Sequence, residues 1–329
     1  MSLNTQLGVK AESTWGTAVT VDRFFEYNSE SITMETERIE SKGLRSSTLV
    51  QRSDRFVPVI KGASGSVELE VLSAGFGWWL EQCLGGVATT GPADTAAYTH
   101  TGTVASLLAQ GFTLQVNRPF HPAGTSQAFT YEGGKVAKWS LYCDVDGLLM
   151  FSADLVFETG VTTTALATAS YPTGMEHLSW AGGAVTIDGT SVAVESFKVE
   201  CDNGLMVDRF KQRSSTLRQE PVELTQREIT WELVVDFDSL TQYNRAVTAT
   251  ASDTLEEIIA TWTAPTLISG AASTYPSVQV KIDQARFDSV SDINESSTEP
   301  LKQTISGRGL YDGSTSPVTV VVVNGDSTA

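Results

Sequence analysis

Arg45-Ser46-Ser47-Thr48-Leu49 recurs letter for letter in the second half of the chain as Arg213-Ser214-Ser215-Thr216-Leu217. Each copy is followed by a polar, charged stretch, then by an alternating strand pattern, and then by a candidate helix. A five-residue match alone carries little weight, but the same word with the same neighbours in the same order indicates an internal repeat. The sequence therefore predicts two copies of one β-rich unit.

The two units have matching predicted elements. Alternation of apolar and polar residues predicts strands over residues 67–71 and 229–235. Apolar residues at helical spacing predict one helix in each unit, over residues 75–85 and 239–247. A chain of 329 residues is long enough for two domains of roughly 150 residues, each with its own core. We therefore expect a mainly β fold of two tandem sandwich units, residues 1–170 and 171–329, each with one packed helix.

The composition excludes several classes of protein. No apolar run approaches the roughly 20 residues that a membrane helix needs, so no membrane insertion is expected. The N-terminus lacks the apolar segment of a signal peptide. Cys83, Cys143 and Cys201 each occupy an apolar position, which predicts buried thiols in a reducing compartment. The net charge of −17 argues against specific nucleic-acid binding.

The basic residues are concentrated in the two repeated segments. Residues 36–61 and 205–219 are each net positive, whereas the rest of the chain is strongly acidic. A solvated loop is the simplest interpretation of one such segment. Its recurrence favours a docking surface for acidic neighbours of the same kind.

No group of reactive residues converges in the sequence. His100, His121 and His177 are isolated, without the spacing of a zinc site. Residues 144–147 have the first letters of a calcium loop but lack its closing glutamate, and a hairpin turn is the better interpretation. We therefore expect no catalytic residues, no metal and no cofactor, and a protein that is not an enzyme.

The tryptophans allow a second hypothesis. Trp79, Trp139 and Trp231 are in phase with predicted core positions, which favours packing. Trp15 and Trp78 lie off these stripes and are expected at exposed contacts. The alternative function is therefore a carbohydrate-binding or adhesin module built on tandem β-sandwiches.

Several short motifs follow one another along the chain. Residues 8–18 have the pattern G-x-x-x-E-x-x-x-G-T-A, and residues 62–72 run directly into the first predicted helix. A strand pair at residues 129–141, a turn at 147–149 and a strand at 151–157 come next. Over nearly the whole chain, these motifs resemble those of the tail tube proteins of long, non-contractile phage tails.

The resemblance implies a virion protein that forms rings. Sheets of neighbouring subunits would join into a β-barrel around a hole, and rings would stack into a tube for DNA delivery. A long loop in each unit would reach the neighbouring ring, and residues 36–61 and 203–225 occupy that place. Two units per chain would then give a trimer with pseudo-sixfold symmetry.

The resemblance also implies where the basic residues act and which partners the tube has. The expected inter-ring contacts are Arg38, Lys42, Arg45, Arg52, Arg55, Arg209, Lys211, Arg213 and Arg218. The expected partners are other copies of the chain, the tape measure protein and DNA in the lumen without specific binding, and the tail tip and terminator proteins. Assembly would occur in the bacterial host cytoplasm. A minor tail protein at the end of the tube is the alternative within this class.

Overall fold

The computed structural model describes residues 4–121, 124–247, 255–291 and 301–329, and the fold is mainly β. The first half contains β1 (Gln6–Ala11), β2 (Arg23–Phe25), β3 (Ser29–Glu30), β4 (Thr33–Glu40), β5 (Phe56–Glu70), α1 (Gly77–Leu84), β6 (Gly85–Asp94), β7 (Ala97–Val104), β8 (Phe112–Asn117), β9 (Ala128–Asp144), β10 (Met150–Phe157) and β11 (Thr159–Val161). The second half contains β12 (Gly183–Ile187), β13 (Thr190–Val192), β14 (Ser196–Asp202), β15 (Leu205–Met206), β16 (Val222–Glu223), β17 (Glu228–Asp236), α2 (Leu240–Val247), β18 (Glu256–Thr263), β19 (Ser277–Val290), β20 (Lys302–Gly309) and β21 (Thr319–Asn324).

One antiparallel sheet runs through both halves of the chain. Its strands pair in the order β4–β5–β10–β9–β14–β17–β20–β19. The step from β9 to β14 joins the halves, with Leu141 opposite Val199 and Trp139 opposite Cys201. All four of these side chains are buried, so the joined sheet has one continuous apolar face. Among the described residues, the sheet does not close on itself within one chain.

The same order of pairing occurs in each half. In the first half, the strands pair in the order β4–β5–β10–β9–β8–β1–β2. In the second half, the strands pair in the order β14–β17–β20–β19–β18–β12–β13. Strands at the same place in the two pairing orders also follow one another in the same order along the chain. A helix follows β5 and β17 in each case. The hairpin of β6 and β7 is an addition to the first half, and it pairs with β21.

The long strands β9 and β19 are irregular at corresponding places. Each shifts register once against the strand before it, β8 or β18, and once against the strand after it, β10 or β20. On β9 the regular pairing resumes at Gly134 against β8 and at Val136 against β10. On β19 it resumes at Ala285 against β18 and at Phe287 against β20. The two shifts are therefore equally spaced on both strands. Bulges are built into a fold by local sequence, so this agreement is a specific similarity between the halves.

The two helices differ in burial. In α1, Trp79 and Leu84 are fully buried, and nearly the whole helix is inaccessible. The helix ends at Gly85, whose φ of 90° is left-handed and whose absent Cβ would meet the Ala105 carbonyl at 2.4 Å. In α2 no residue is buried, and Leu240 and Val247 are more than half exposed. Helix α2 therefore lacks the cover that α1 has.

Most elements predicted from the alternation are confirmed, with one correction among the tryptophans. Trp139 and Trp231 are buried as expected, and the three cysteines are buried and unpaired. Trp78 is 6% exposed, so the expectation of an exposed contact is wrong. Its ring packs edge-on against Trp79 and Phe112 and at a tilt against Phe25, so aromatic residues of β2 and β8 cover this side of α1. Trp15 is half-buried rather than exposed.

We predict that Asp94 contributes to stability in a pH-dependent way. Its carboxylate accepts hydrogen bonds from the backbone N–H groups of Ser273 and Ala272 and from the Thr274 hydroxyl, which lower the pKa of Asp94 from 3.8 to about 2. Because the folded pKa is depressed, this stabilisation is present above pH 4 and is lost as the pH falls through 2. Thermal unfolding followed by circular dichroism should therefore show a lower Tm for Asp94→Asn at pH 7. The difference from the wild type should shrink towards pH 2, and an unchanged difference would contradict the assignment.

Candidate functional site

The first basic segment forms a projecting hairpin, here called the arm (residues 36–61). Strands β4 and β5 pair along its base, and the residues between them are almost entirely exposed. Leu44 and Leu49 are as exposed as in an extended chain, at 104% and 101%. Apolar residues held this far from any core stabilise nothing within the chain, and such exposure is typical of an interaction surface.

The arm's basic residues are available for such a contact. Arg52 pairs with Asp54 at 2.8 Å, and the Arg38 guanidinium lies 6.0 Å from the centre of the Phe56 ring. Within the described parts of the chain, Lys42 and Arg45 have no ionic partner. Arg55 is exposed as well, 3.9 Å from Asp54. Such charges at the surface add little to folding, so they are free to act between molecules.

The second basic segment is folded back onto the first half, and we call residues 207–221 the clasp. The backbone N–H of Lys61 donates to the Thr216 carbonyl at 2.8 Å, and that of Arg218 donates to the Lys61 carbonyl at 3.2 Å. Leu217 forms an isolated parallel bridge with Lys61. The repeated pentapeptide therefore lies against the base of the arm in its second copy and is exposed in its first.

Arg218 is the anchor of the clasp. Its side chain is 3% exposed and donates to the carbonyls of Ala63 and Phe157 at 2.9 and 2.7 Å. It also pairs with Glu35 at 2.7 Å. A guanidinium with these partners cannot reach a neighbouring ring, so the expectation that Arg218 is an inter-ring contact is wrong. The residue after the first pentapeptide is Val50, which cannot make this anchor.

The other basic residues of the clasp are mostly engaged within the chain. Arg209 donates to the Glu220 carbonyl at 2.7 Å, and Arg213 donates to the Leu217 carbonyl at 3.2 Å. Lys211 is exposed. The Glu220 carboxylate in turn pairs with buried Lys135 at 2.7 Å, where burial lowers the lysine's pKa. The clasp is thus held by ion pairs and carbonyl contacts, and its charges are largely used.

Three carboxylates, those of Glu12, Glu132 and Glu158, form a cluster, and Glu158 lies beside the clasp. Glu12 is buried and accepts a hydrogen bond from the backbone N–H of Gly133 at 3.0 Å. Burial raises the pKa of Glu132 and that of Glu158, and the neighbouring carboxylates add to both shifts. Arg213 lies 3.8 Å from Glu158 and opposes the rise in its pKa. This arrangement favours a cation at the position of Arg213 and gives it a role within the chain.

Sequence patterns missed two residues that join the halves. The side-chain amide of Asn203 donates to the carbonyls of Cys83 and Val136 at 3.1 and 2.9 Å. Arg227 Nη1 donates to the Leu84 carbonyl at 2.9 Å. Both residues therefore cap the end of α1 from the second half. In the sequence, each appears only as a polar residue at one end of the repeated loop. That position does not indicate which backbone carbonyl the residue will bind.

The face of the joined sheet opposite the core is polar and predominantly acidic. Its carboxylates are Glu68, Glu70, Asp144, Asp154, Glu200, Asp202, Glu228, Glu232, Asp236 and Asp288, and its basic residues are Lys138, Lys198, Arg286, Lys302 and Arg308. Lys138 pairs with Asp202 and Lys198 with Glu200, each at 2.7 Å. Both lysines are thus neutralised locally, and the excess charge on this face is negative.

The described residues hold no group of three or more side chains suited to a metal ion. His100 is buried between Thr89 and Asn324, at 2.9 and 3.0 Å, and His177 pairs with Glu70 at the surface. Across the described ranges, no helix is both long and apolar enough to cross a bilayer. The turn at residues 144–147 is a hairpin turn, as predicted, with the Gly147 N–H donating to the Asp144 carbonyl at 2.9 Å.

A long sheet with unpaired edges and a projecting arm defines a structural protein that assembles through its surfaces. The profile of the family described as phage tail tube protein matches residues 2–306 of the chain. The chain belongs to this family, and it is a structural subunit of the phage tail tube. No curated protein matches the chain in sequence. The match and the fold give no support to the adhesin alternative.

We predict that the repeated segments differ in their contribution to folding. Replacing Arg218 with Ala leaves two buried carbonyls without their donor and should lower the free energy of unfolding by about 2–4 kcal/mol. Arg45→Ala removes an exposed side chain and should change it by less than about 0.5 kcal/mol. Urea denaturation of the two variants measures both values. Equal losses would contradict the assignment of anchor and arm.

Proposed function

We propose that the chain is a tandem duplication of one tube unit, residues 1–170 and 171–329, and that three chains form a ring. The observation that carries this proposal is the matching order of paired strands, with bulges at corresponding places on β9 and β19. A ring of three chains then contains six similar units. Closed rotational symmetry of this kind satisfies the strand edges that one chain leaves unpaired.

In this arrangement the acidic face of the joined sheet lines the bore. The apolar face of the sheet is covered by the core of the chain. The polar face is therefore the one that can line the inside of a closed barrel. A negative lining repels phosphate, so DNA occupies the lumen without specific binding. The tape measure protein occupies the same lumen, also without specific binding. Ion pairs such as Lys138–Asp202 reduce the number of free cations that would slow DNA.

The arm contributes the contact between rings. Its exposed basic residues are Arg38, Lys42, Arg45, Arg52 and Arg55, and they face the acidic body of the next ring. The clasp is tied to its own chain, so each ring presents three arms rather than six. Tail tip and terminator proteins bind the two ends of the tube, which assembles in the bacterial host cytoplasm and functions in the virion tail.

Electron microscopy of the purified protein tests this function. Negative-stain images should show rings or tubes of uniform bore, extending over many repeats. Single rings that never stack would favour the minor tail protein at the tube end. A monomer that binds glycans on an array, without rings, would favour the adhesin and reject the proposal.

We predict that reversing a charge on the arm weakens stacking without weakening the fold. Arg45→Glu places a carboxylate against an acidic surface, and each 1.4 kcal/mol lost corresponds to about a tenfold drop in affinity between rings. The measurement is the fraction of protein pelleted as tubes, together with the Tm. Lys211→Glu, the matched change on the clasp, should leave the pelleted fraction near the wild-type value. The proposal fails if both variants behave alike.

A further inference from the structure

The junction inside the chain has two parts, a strand pairing and a helix cap. Strand β14 pairs along β9. Beside it, Asn203 and Arg227 of the second half donate to the carbonyls of Cys83 and Leu84 at the end of α1. The last carbonyls of a helix have no partner within the helix, so these contacts satisfy groups that would otherwise be open. The second half thus closes a strand edge and a helix end of the first half.

The bulges establish which residues correspond between the two halves. Because pairing resumes at equivalent points on β9 and β19, Lys138 corresponds to Ser289 and Ser140 to Ser291. The correspondence extends from β10 and β20 to the strands paired with them, β5 and β17. On this basis Lys61 in β5 is equivalent to Arg227. Both of these residues are basic.

A side-chain contact supports the correspondence on the strands before the arm and the clasp. Glu30 lies opposite Val67 on β5, and Phe197 lies opposite Leu233, the equivalent residue on β17. Glu30 is therefore the counterpart of Phe197. Glu30 pairs with Arg118 at 2.6 Å, and Phe197 packs against Trp262 with ring centres 5.9 Å apart. Arg118 and Trp262 are themselves at equivalent positions after β8 and on β18. The same pair of positions therefore meets in both halves, with different chemistry.

The counterparts of the internal junction are open in a single chain. Beyond Ala285, described β19 residues pair with β20 on one side and with no strand on the other. β4 pairs only with β5 among the described strands, and Met34 on it is 39% exposed. Val247, the last described residue of α2, is 55% exposed, and Lys61 is exposed as well. Among the described residues, each of these exposed positions in one half thus corresponds to a position that is covered in the other.

We propose that a second copy of this chain fills these positions in the register of the internal junction. Val290 of one copy lies opposite Met34 of the next, and Ser291 lies opposite Thr33. Lys61 of the next copy donates to the last carbonyls of α2, as Arg227 does for α1. This inference rests on the proposed ring and specifies how its copies join.

The edge of the first half limits the extent of this pairing. The Ile32 carbonyl accepts hydrogen bonds from Arg118 Nη2 at 2.7 Å and from the Tyr131 hydroxyl at 3.2 Å. A strand cannot use an acceptor that its own chain has taken, so hydrogen bonding across the junction ends at Met34. Thr33 and Ser291 then face each other just beyond that pair. Occupied acceptors of this kind also blunt an edge against indiscriminate strand addition.

Disulfide cross-linking tests the register. In the internal junction the Asn203 N–H donates to the Ala137 carbonyl, so Ser140 and Glu200 form a non-hydrogen-bonded pair with closely spaced side chains. Their counterparts are Ser291 and Thr33. The chain with Thr33→Cys and Ser291→Cys, assembled into tubes and mildly oxidised, should run at two and three chain masses on non-reducing gels. The chain with Ser140→Cys and Glu200→Cys should form its disulfide but remain at one chain mass.

The outcomes separate the register from the function. Tubes that form without cross-links between chains would overturn the register and leave the tube function standing. Wild-type protein that never forms rings or tubes would overturn both. If the cysteine pair itself prevents assembly, mixed chains carrying one cysteine each supply the same readout, and no band at two chain masses would overturn the proposal.

Lys61 gives an independent test of the helix cap. Lys61→Glu should reduce ring formation about tenfold at fixed protein concentration, because it places a negative charge at a helix C-terminus. Lys61→Arg should assemble like the wild type, and neither variant should change the urea midpoint of the isolated chain. Normal assembly of Lys61→Glu would overturn the cap.

Discussion

The pairing of β9 with β14 is the interaction on which the rest of the structure depends. It removes one unpaired edge from each half and aligns two apolar faces into a single one, so Trp139 and Cys201 share a core. At the two ends of the joined sheet, β4 and the described part of β19 beyond Ala285 correspond to the two strands that the junction pairs. The internal junction is therefore a model for the contact that we propose between copies of the chain.

The two repeated segments show how one residue changes the use of a shared peptide. In the clasp, Arg218 donates to carbonyls on β5 and at the end of β10 and so fixes the segment to its own chain. In the arm, Val50 follows the same pentapeptide, and the segment projects. Because the clasp is tied down, only the arm of each chain projects. In the ring that we propose, stacking would therefore use three arms rather than six.

The sequence predicted most of the fold and part of the site. Alternation and helical spacing are local signals, and they located strands such as β17, both helices and the buried Trp79. The repeat also identified the arm. Sequence reasoning failed where the deciding partners are distant backbone atoms, as with Arg218, which bonds to a carbonyl 155 residues away. It failed for Trp78 as well, because the rings that cover it, Phe25 and Phe112, lie on strands distant from it in the sequence.

In the proposed ring, each chain supplies two equivalent units. A cryo-electron microscopy reconstruction of the assembled tube, calculated without imposed symmetry, would show the number of chains and units directly. We expect three chains per ring, with threefold symmetry and an approximate sixfold repeat of the sheet. A ring of six chains with true sixfold symmetry, or halves that occupy unrelated positions around the bore, would contradict this proposal.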